Sequence, residues 1–258
     1  MESEARNKAI AGGVAALTAA IGGYYWFSRP AEEPAPPPPP PAAAVEEPEH
    51  HPVPDATEPK MALPELAESD PTLIEAFTGL VSAKGIEQFL VPQDIVRHLV
   101  VSIDNLPRKK VAERLKPIKP IAGQFVVAGA DDARVLSEDN YARYQPFVQM
   151  VGGADMNKVA GVYFKLYPLF QEAYVDLGYP SGYFNDRLVQ VIDHLLATPD
   201  AAGPIKLTQP GVMYEFADPK LENLSAGQKA LIRVGKANAA VLKTKLRELR
   251  VAIAKQKP

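Results

Sequence analysis

The sequence predicts a mainly α fold: a compact helical domain with one or two small β-hairpins, set behind an N-terminal transmembrane helix and a proline-rich linker. Three observations predict it. Nineteen residues near the N-terminus, Ala9 to Phe27, carry no charge. Most of the excess among the 26 prolines falls between Pro30 and Pro64. Beyond them, apolar residues recur at three- and four-residue spacing, the period of a helix with one buried face.

The charge-free segment, AIAGGVAALTAAIGGYYWF, is long enough as a helix to cross a hydrocarbon core of about 30 Å. Its apolar run continues through Tyr24, Tyr25, Trp26 and Phe27, past the small residues where a signal peptidase would cut. An uncleaved anchor is therefore expected, with the aromatics at the headgroup layer. Arg6 and Lys8 precede it and Glu32 and Glu33 follow, which orients the N-terminus to the cytoplasm. Residues 1–8 form the cytoplasmic end, 9–28 the anchor, 29–65 a disordered proline-rich tether and 66–256 the soluble domain. The expected localisation is a bacterial inner membrane, single-pass, with the C-terminal domain in the periplasm. Ala11, Ala15, Ala19 and Gly23 form a small-residue face on which a second copy could pack.

Pro36 to Pro41 is an unbroken polyproline run, stiff and extended, inside a tract too polar for a core. His50 and His51 with Glu46, Glu47 and Glu49 contain metal-binding residue types, but nothing in the tract preorganises them. No metal and no cofactor is expected. The absence of cysteine excludes disulfides, thiolate zinc sites and thiol nucleophiles. A net charge of -3 argues against nucleic acid as a partner.

In the domain, Ser69-Asp70-Pro71 opens a helix with Leu73, Phe77 and Leu80 on its apolar face, and Gly85 to Leu90 follows as a short turn or helix. Pro92 starts a helix to about Asn105, striped by Ile95, Leu99, Ile103 and Leu106. Arg108 to Lys119 holds six basic residues against Glu113. Phe125 to Ala128 and Ala133 to Leu136 flank GADD as a hairpin. A helix from Ser137 or Asp139 ends at Gly152-Gly153. The next, Asp155 to Gly178, buries Val159, Tyr163, Leu166, Phe170, Tyr174 and Leu177, with Pro168 on the opposite, convex side. Ile205 to Leu207 and Val212 to Phe216 are short strands that can pair. Ser225 caps a helix stopped by Gly235. Ala239, Leu242, Leu246, Leu249 and Ile253 then form a narrow seam on the final helix, which packs on the domain or on a partner copy.

The helix from Gly182 to Ala197 carries the candidate site. Phe184, Leu188, Val191, Ile192 and Leu195 lie on one side, and Tyr183, Asp186, Arg187, Gln190, Asp193 and His194 form a polar arc on the other. Arg187 can grip a carboxylate or phosphate with two parallel hydrogen bonds, and Tyr183 can stack against a partner. The competing reading is a hydrated face of ordinary ion pairs. Seven of ten tyrosines fall between Tyr141 and Tyr183; a stacking platform would use Tyr141, Tyr179 or Tyr183.

YPLFQEAYVDLGYPSGYFNDRLVQVIDHLLATP (Tyr167 to Pro199), with DNLPR, YEFADPKLENLSAGQKALIRVG and the terminal KLRELR, resembles an uncharacterised proteobacterial family, domain of unknown function 3014. The likeness runs from about Leu63 to Arg250 and implies an N-terminal anchor and a proline-rich linker, but no activity and no catalytic residue.

The expected function is that of a membrane-anchored cell-envelope protein, a non-catalytic binding or scaffolding module presented in the periplasm. Its expected partners are an envelope protein or cell-wall component, the inner membrane through 9–28, and a second copy through the membrane helix or the C-terminal helix. The alternative is a cell-wall glycan hydrolase using carboxylates such as Glu172 or Asp186. Glycosidase carboxylates leave no spacing signature; a cleft holding two of them about 5–10 Å apart would identify one.

Overall fold

The longest helix of the domain sets the position of everything else. In the computed structural model, which describes residues 50–54, 62–110, 113–130, 133–201 and 203–254, α5 spans Met156–Asp176. (Elements are numbered along the chain: α1 is Asp70–Thr78, α2 Ala83–Phe89, α3 Ile95–Asn105, α4 Asp139–Gly153, α6 Phe184–Leu196, α7 Pro219–Glu222, α8 Ala226–Arg233 and α9 Lys236–Ala254.) The Asp155 carboxylate accepts from the Asn157 and Lys158 amides at 2.9 and 3.3 Å, which caps its start. Tyr163, Leu166, Phe170 and Tyr174 are buried along one stripe, while Pro168 faces out. The missing amide of Pro168 thus lies on the solvent side, where the cost of a broken ladder is smallest.

Three helices close over that stripe: α3 and α6 pack on it and on each other, and α9 lies against α4, α5 and α6. Phe184, at the first turn of α6, is fully buried and stacks on Phe170 at 5.8 Å between centroids. Tyr163 meets Phe170 edge-on at 5.5 Å. Both arrangements suit the ring quadrupoles. Leu73 of α1, Ile95 and Val100 of α3 and Ile253 of α9 complete the core with no exposed surface.

The start of α3 differs from expectation for a physical reason. The helix begins at Ile95, not at Pro92, because Asp94 stands in the left-handed region at φ 47° and interrupts the chain's entry. Asp94 does not cap its own helix. Asp70, at the start of α1, does so: its two carboxylate oxygens accept from the Asp94 and Ile95 amides at 2.8 and 2.9 Å. One side chain therefore locks two helix beginnings together.

Both expected hairpins form, and both are shorter than the apolar runs that suggested them. β1 (Val127–Ala128) pairs with β2 (Val135–Leu136), and β3 (Leu207–Thr208) with β4 (Glu215–Phe216), each antiparallel. Val135 also bridges to Lys206, which joins the hairpins. Leu136, Ile205, Leu207, Phe216 and Ile232 form a second, smaller core beneath them. Ser225 and Gln228 make a reciprocal capping box at α8. Gly235 separates α8 from α9 at φ 87°, and a Cβ there would stand 2.5 Å from the Tyr141 ring, so both conformation and space require glycine.

The membrane architecture is corrected here. Among the described residues no helix is long and apolar enough to cross a membrane. The two longest helices explain why. α5 carries Lys165 and Glu172 on its outer side, and α9 carries Lys243, Lys245, Arg247, Glu248 and Arg250. The expected span at 9–28 lies outside the described residues, as do 29–49 and 55–61 of the expected tether. The single-pass inner-membrane localisation, the periplasmic envelope function and the inner-membrane partnership rested on that span and are withdrawn. The seam on α9, expected to pack on the domain or on a partner copy, packs in part on the domain: Ile253 is fully buried, and the half-buried Leu246 and Leu249 lie against the main core.

Two measurable consequences follow from this packing. Phe170→Ala removes a ring in contact with Tyr163 and Phe184, and is expected to destabilise the chain by about 3–5 kcal/mol in urea unfolding. A loss below about 1 kcal/mol would mean the ring is not in the core. Glu222 tests the second core. Burial opposes its ionisation, but hydrogen bonds from the Lys229 ammonium and the Phe216 amide outweigh burial, so its pKa lies below the ordinary 4.5. The stability it adds is complete above that ordinary value and is lost as pH falls through the lowered folded one. Glu222→Gln should therefore lower Tm at neutral pH and shrink the further drop on acidification, measured by thermal melts at about pH 7 and pH 3.

Candidate functional site

The N-terminal end of α6 is held by α5 before any ligand is considered. Gly178, at φ 111°, turns the chain out of α5, and Gln171 then clasps the return. Its Nε2 donates to the Gly182 carbonyl at 2.7 Å and its Oε1 accepts from the Phe184 amide at 2.9 Å. Tyr167 donates to the same Oε1 at 2.7 Å. Burial pushes the Tyr167 phenol up to about 12, so at neutral pH it is always a donor.

Arg187 lies one turn further on and is pinned from below. Its Nε donates to Oδ1 of Asp104 at 2.8 Å, and its terminal nitrogen donates to the Asp104 carbonyl at 2.9 Å. Asp104 is 2% exposed and also accepts from Arg108 at 2.6 Å and from the Tyr179 hydroxyl at 3.3 Å. A buried carboxylate with two guanidiniums and a phenol is fully compensated.

Asn185 and Asp186 form a ledge beside this anchor. Asn185 is completely buried, and its amide orientation is dictated. Burial raises the Tyr163 pKa well above the ordinary phenol range, so that hydroxyl keeps its proton and donates to Asn185 Oδ1 at 3.2 Å. The Asn185 NH2 must then point the other way, where it donates to the carbonyls of His51 at 2.8 Å and Ile253 at 3.3 Å. Asp186 Oδ1 accepts the His51 backbone amide at 2.7 Å. Adjacent side chains thus hold both polar groups of one peptide unit's residue. The other Asp186 oxygen meets His50 Nδ1 at 2.8 Å, and the His50 ring lies 4.3 Å from that of Tyr183.

Four of the six expected residues come together. Tyr183, Asp186, Arg187 and Gln190 line a shallow cavity of about 330 Å³, with His50 at its edge. Asp193 and His194 do not join them. Asp193 pairs with Arg250 of α9, one contact measuring 2.8 Å. His194 Nε2 lies 2.8 Å from the Ser225 hydroxyl, and its carbonyl accepts from Gln228 at 3.1 Å. These two hold α6 to α9 and α8.

The tyrosine platform is not assembled either. Tyr183 is 54% exposed, but Tyr179 stacks on Tyr174 at 4.6 Å, and Tyr141 sits against Gly235. Asp186 is the sole carboxylate lining its cavity, and Glu172 is exposed elsewhere on α5. Among the described residues no group of three or more His, Asp or Glu side chains could hold a metal ion, and Glu46, Glu47 and Glu49 lie outside them.

Sequence reasoning missed Asn185, Asp104 and the role of His50 and His51. Asn185 had a signal: it stands four residues before Val189 on the apolar face, where an amide must find partners. Asp104 has the i,i+4 spacing to Arg108 as a local signal, but its contacts to Tyr179 and Arg187 and that of His50 to Asp186 join residues 75 to 136 positions apart and leave no local pattern.

Comparison with known proteins supplies kinship without an activity. No curated protein and no solved structure matches the chain. Residues 95–250, more than half of it, match a family described as Protein of unknown function (DUF3014). The match covers α3 through most of α9, including Asp104, Arg187 and the ledge, and the chain belongs to that family.

Proposed function

We propose that the domain recognises an extended polypeptide segment on the ledge formed by Tyr183, Asn185 and Asp186, and that its own residues 50–54 occupy the ledge in cis. One observation carries this reading: the amide and the carbonyl of His51 are both held, by Asp186 and Asn185 respectively. Contacts to the main chain admit many sequences, whereas the His50 contacts to Asp186 and Tyr183 select for a ring with a donor nitrogen. The segment is suited to the role. Exposure alternates along His51, Pro52, Val53 and Pro54, as in an extended strand, and its two prolines reduce the entropy lost on docking.

The remaining polar residues have definite tasks. Arg187 does not contact the segment through any bond to His50 or His51; it fixes the floor by its bonds to Asp104. Gln190 and Ser181 extend the cavity beyond the segment and offer further hydrogen bonds to a longer ligand.

The test uses His51→Pro, which deletes the amide donor to Asp186 while leaving every ledge residue intact. In the full chain this variant should open the ledge, leave Tm within a few degrees, and bind an added peptide PEHHPVP (residues 48–54). Chemical-shift titration should give a Kd between about 10 μM and 1 mM, while the unaltered chain binds at least about tenfold more weakly. Adding Asp186→Ala to the opened chain should abolish binding. An opened, folded chain that ignores the peptide would sink the proposal.

A further inference from the structure

A second site lies at the other end of α6. Leu195, at that end, meets Leu231 of α8 and Leu242, Leu246 and Leu249 of α9 around a cavity of about 450 Å³. Its lining is almost wholly apolar; the one charged side chain, Lys245, is held at the rim by the Ala154 carbonyl at 3.0 Å and Glu248 at 2.9 Å. A core-facing helix seam ordinarily fills such a space with its own side chains. Here Leu242, Leu246 and Leu249 stay only partly buried beside it.

This cavity adjoins a cleft of about 690 Å³ with a different character, and Leu106, Ile118 and Ala230 line both. Five cations line the cleft, Lys109, Lys110, Lys116, Lys229 and Arg233, and no carboxylate does. Glu222 pairs with Lys229, the neutral oxygens of Asn223 hold Lys109, and Arg233 lies over the Phe216 ring. Apolar side chains also crowd the mouth: Ile118 is 40% exposed and Met213, on the cleft wall, 76%. Isolated apolar residues on a surface mean little, but here Ile118 lines both the apolar chamber and the cationic one.

We propose that the paired cavities bind a single-chain acyl anion, with the hydrocarbon chain in the apolar chamber and the carboxylate in the basic cleft. Both volumes lie in the range of small-ligand sites. The polarity is fixed by the number of charges: five cations line the cleft and one lysine lines the apolar chamber, at its rim. A neutral oil would make no use of the five cations of the cleft, and an inorganic anion would make no use of the apolar chamber. The site is separate from the peptide ledge, with which it shares no lining residue.

Ala230 offers a clean test because it is exposed on α8 yet lines both chambers. Titration calorimetry of the full chain with dodecanoate, below its micellar concentration, should give saturable one-to-one binding. Octanoate should bind more weakly, by about fourfold per methylene removed. Dodecanol should bind at least about tenfold more weakly than dodecanoate. Ala230→Trp should abolish binding with Tm kept within a few degrees. Replacing the exposed Lys109 and Lys110 by Gln should weaken dodecanoate but not dodecanol. Four outcomes would overturn the proposal: no saturable uptake, uptake indifferent to Ala230→Trp, affinity only for phosphatidylglycerol vesicles, or self-association abolished by Ala230→Trp without dodecanoate uptake.

Discussion

The carboxylate of Asp104 is the fixed point of this fold. It sits at the end of α3 with almost no exposed surface, and it receives Arg187 from α6, Arg108 from the following turn and Tyr179 from the turn after α5. Three segments distant in sequence are thereby brought to one atom group. An ion in that position is costly to desolvate and contributes less to net stability than to uniqueness, because no other register of α3 against α6 would satisfy it. Removing Asp104 would leave the Arg187 guanidinium, 24% exposed, without its carboxylate. The ledge inherits this order: Arg187 cannot move without breaking two bonds to α3, so Asp186, its neighbour in the chain, projects from a rigid turn.

How much of this was legible depended on the range of the physics involved. The helix stripe from Tyr163 to Tyr174, the outward Pro168, the capping serine at α8 and the two hairpins all arise from interactions within a few residues, and the sequence carries them openly. Asp94 was hidden because its left-handed backbone is tolerated only where Asp70 accepts the amides on either side of the bend. The polar arc on α6 was visible as a pattern, but the pattern could not say which of its members the fold would consume. Asp193 and His194 face α9 and α8, and only the packing of those helices decides it. Asn185 was overlooked for the opposite reason: it falls among apolar residues and does not look like part of a surface.

The expected anchor lies at 9–28, outside the described residues, and none of the described helices is long and apolar enough to cross a membrane. Hydropathy describes a segment's solvent preference, and the described helices direct their apolar sides at one another. α6 illustrates the point. Its buried face supports the core throughout, while its first turn bears the peptide ledge and its last turn borders the apolar chamber. A single helix of 13 residues thus presents two chemically unlike surfaces, one at each end, and both depend on neighbours rather than on its own sequence.

The seat of His50 and His51 has a kinetic and thermodynamic meaning beyond the bonds it makes. Only residues 55–61 separate the seated segment from Ala62, and the next residue, Leu63, packs against the main core. A segment joined to the domain this near in sequence meets its ledge at an effective concentration on the order of millimolar or above. Any free competitor must overcome that local excess, so the ledge behaves as a threshold rather than as an open receptor. Partners that merely match the built-in segment will be rejected at cellular concentrations. Those that succeed must either reach further along the cavity toward Gln190 or arrive already attached to a larger assembly.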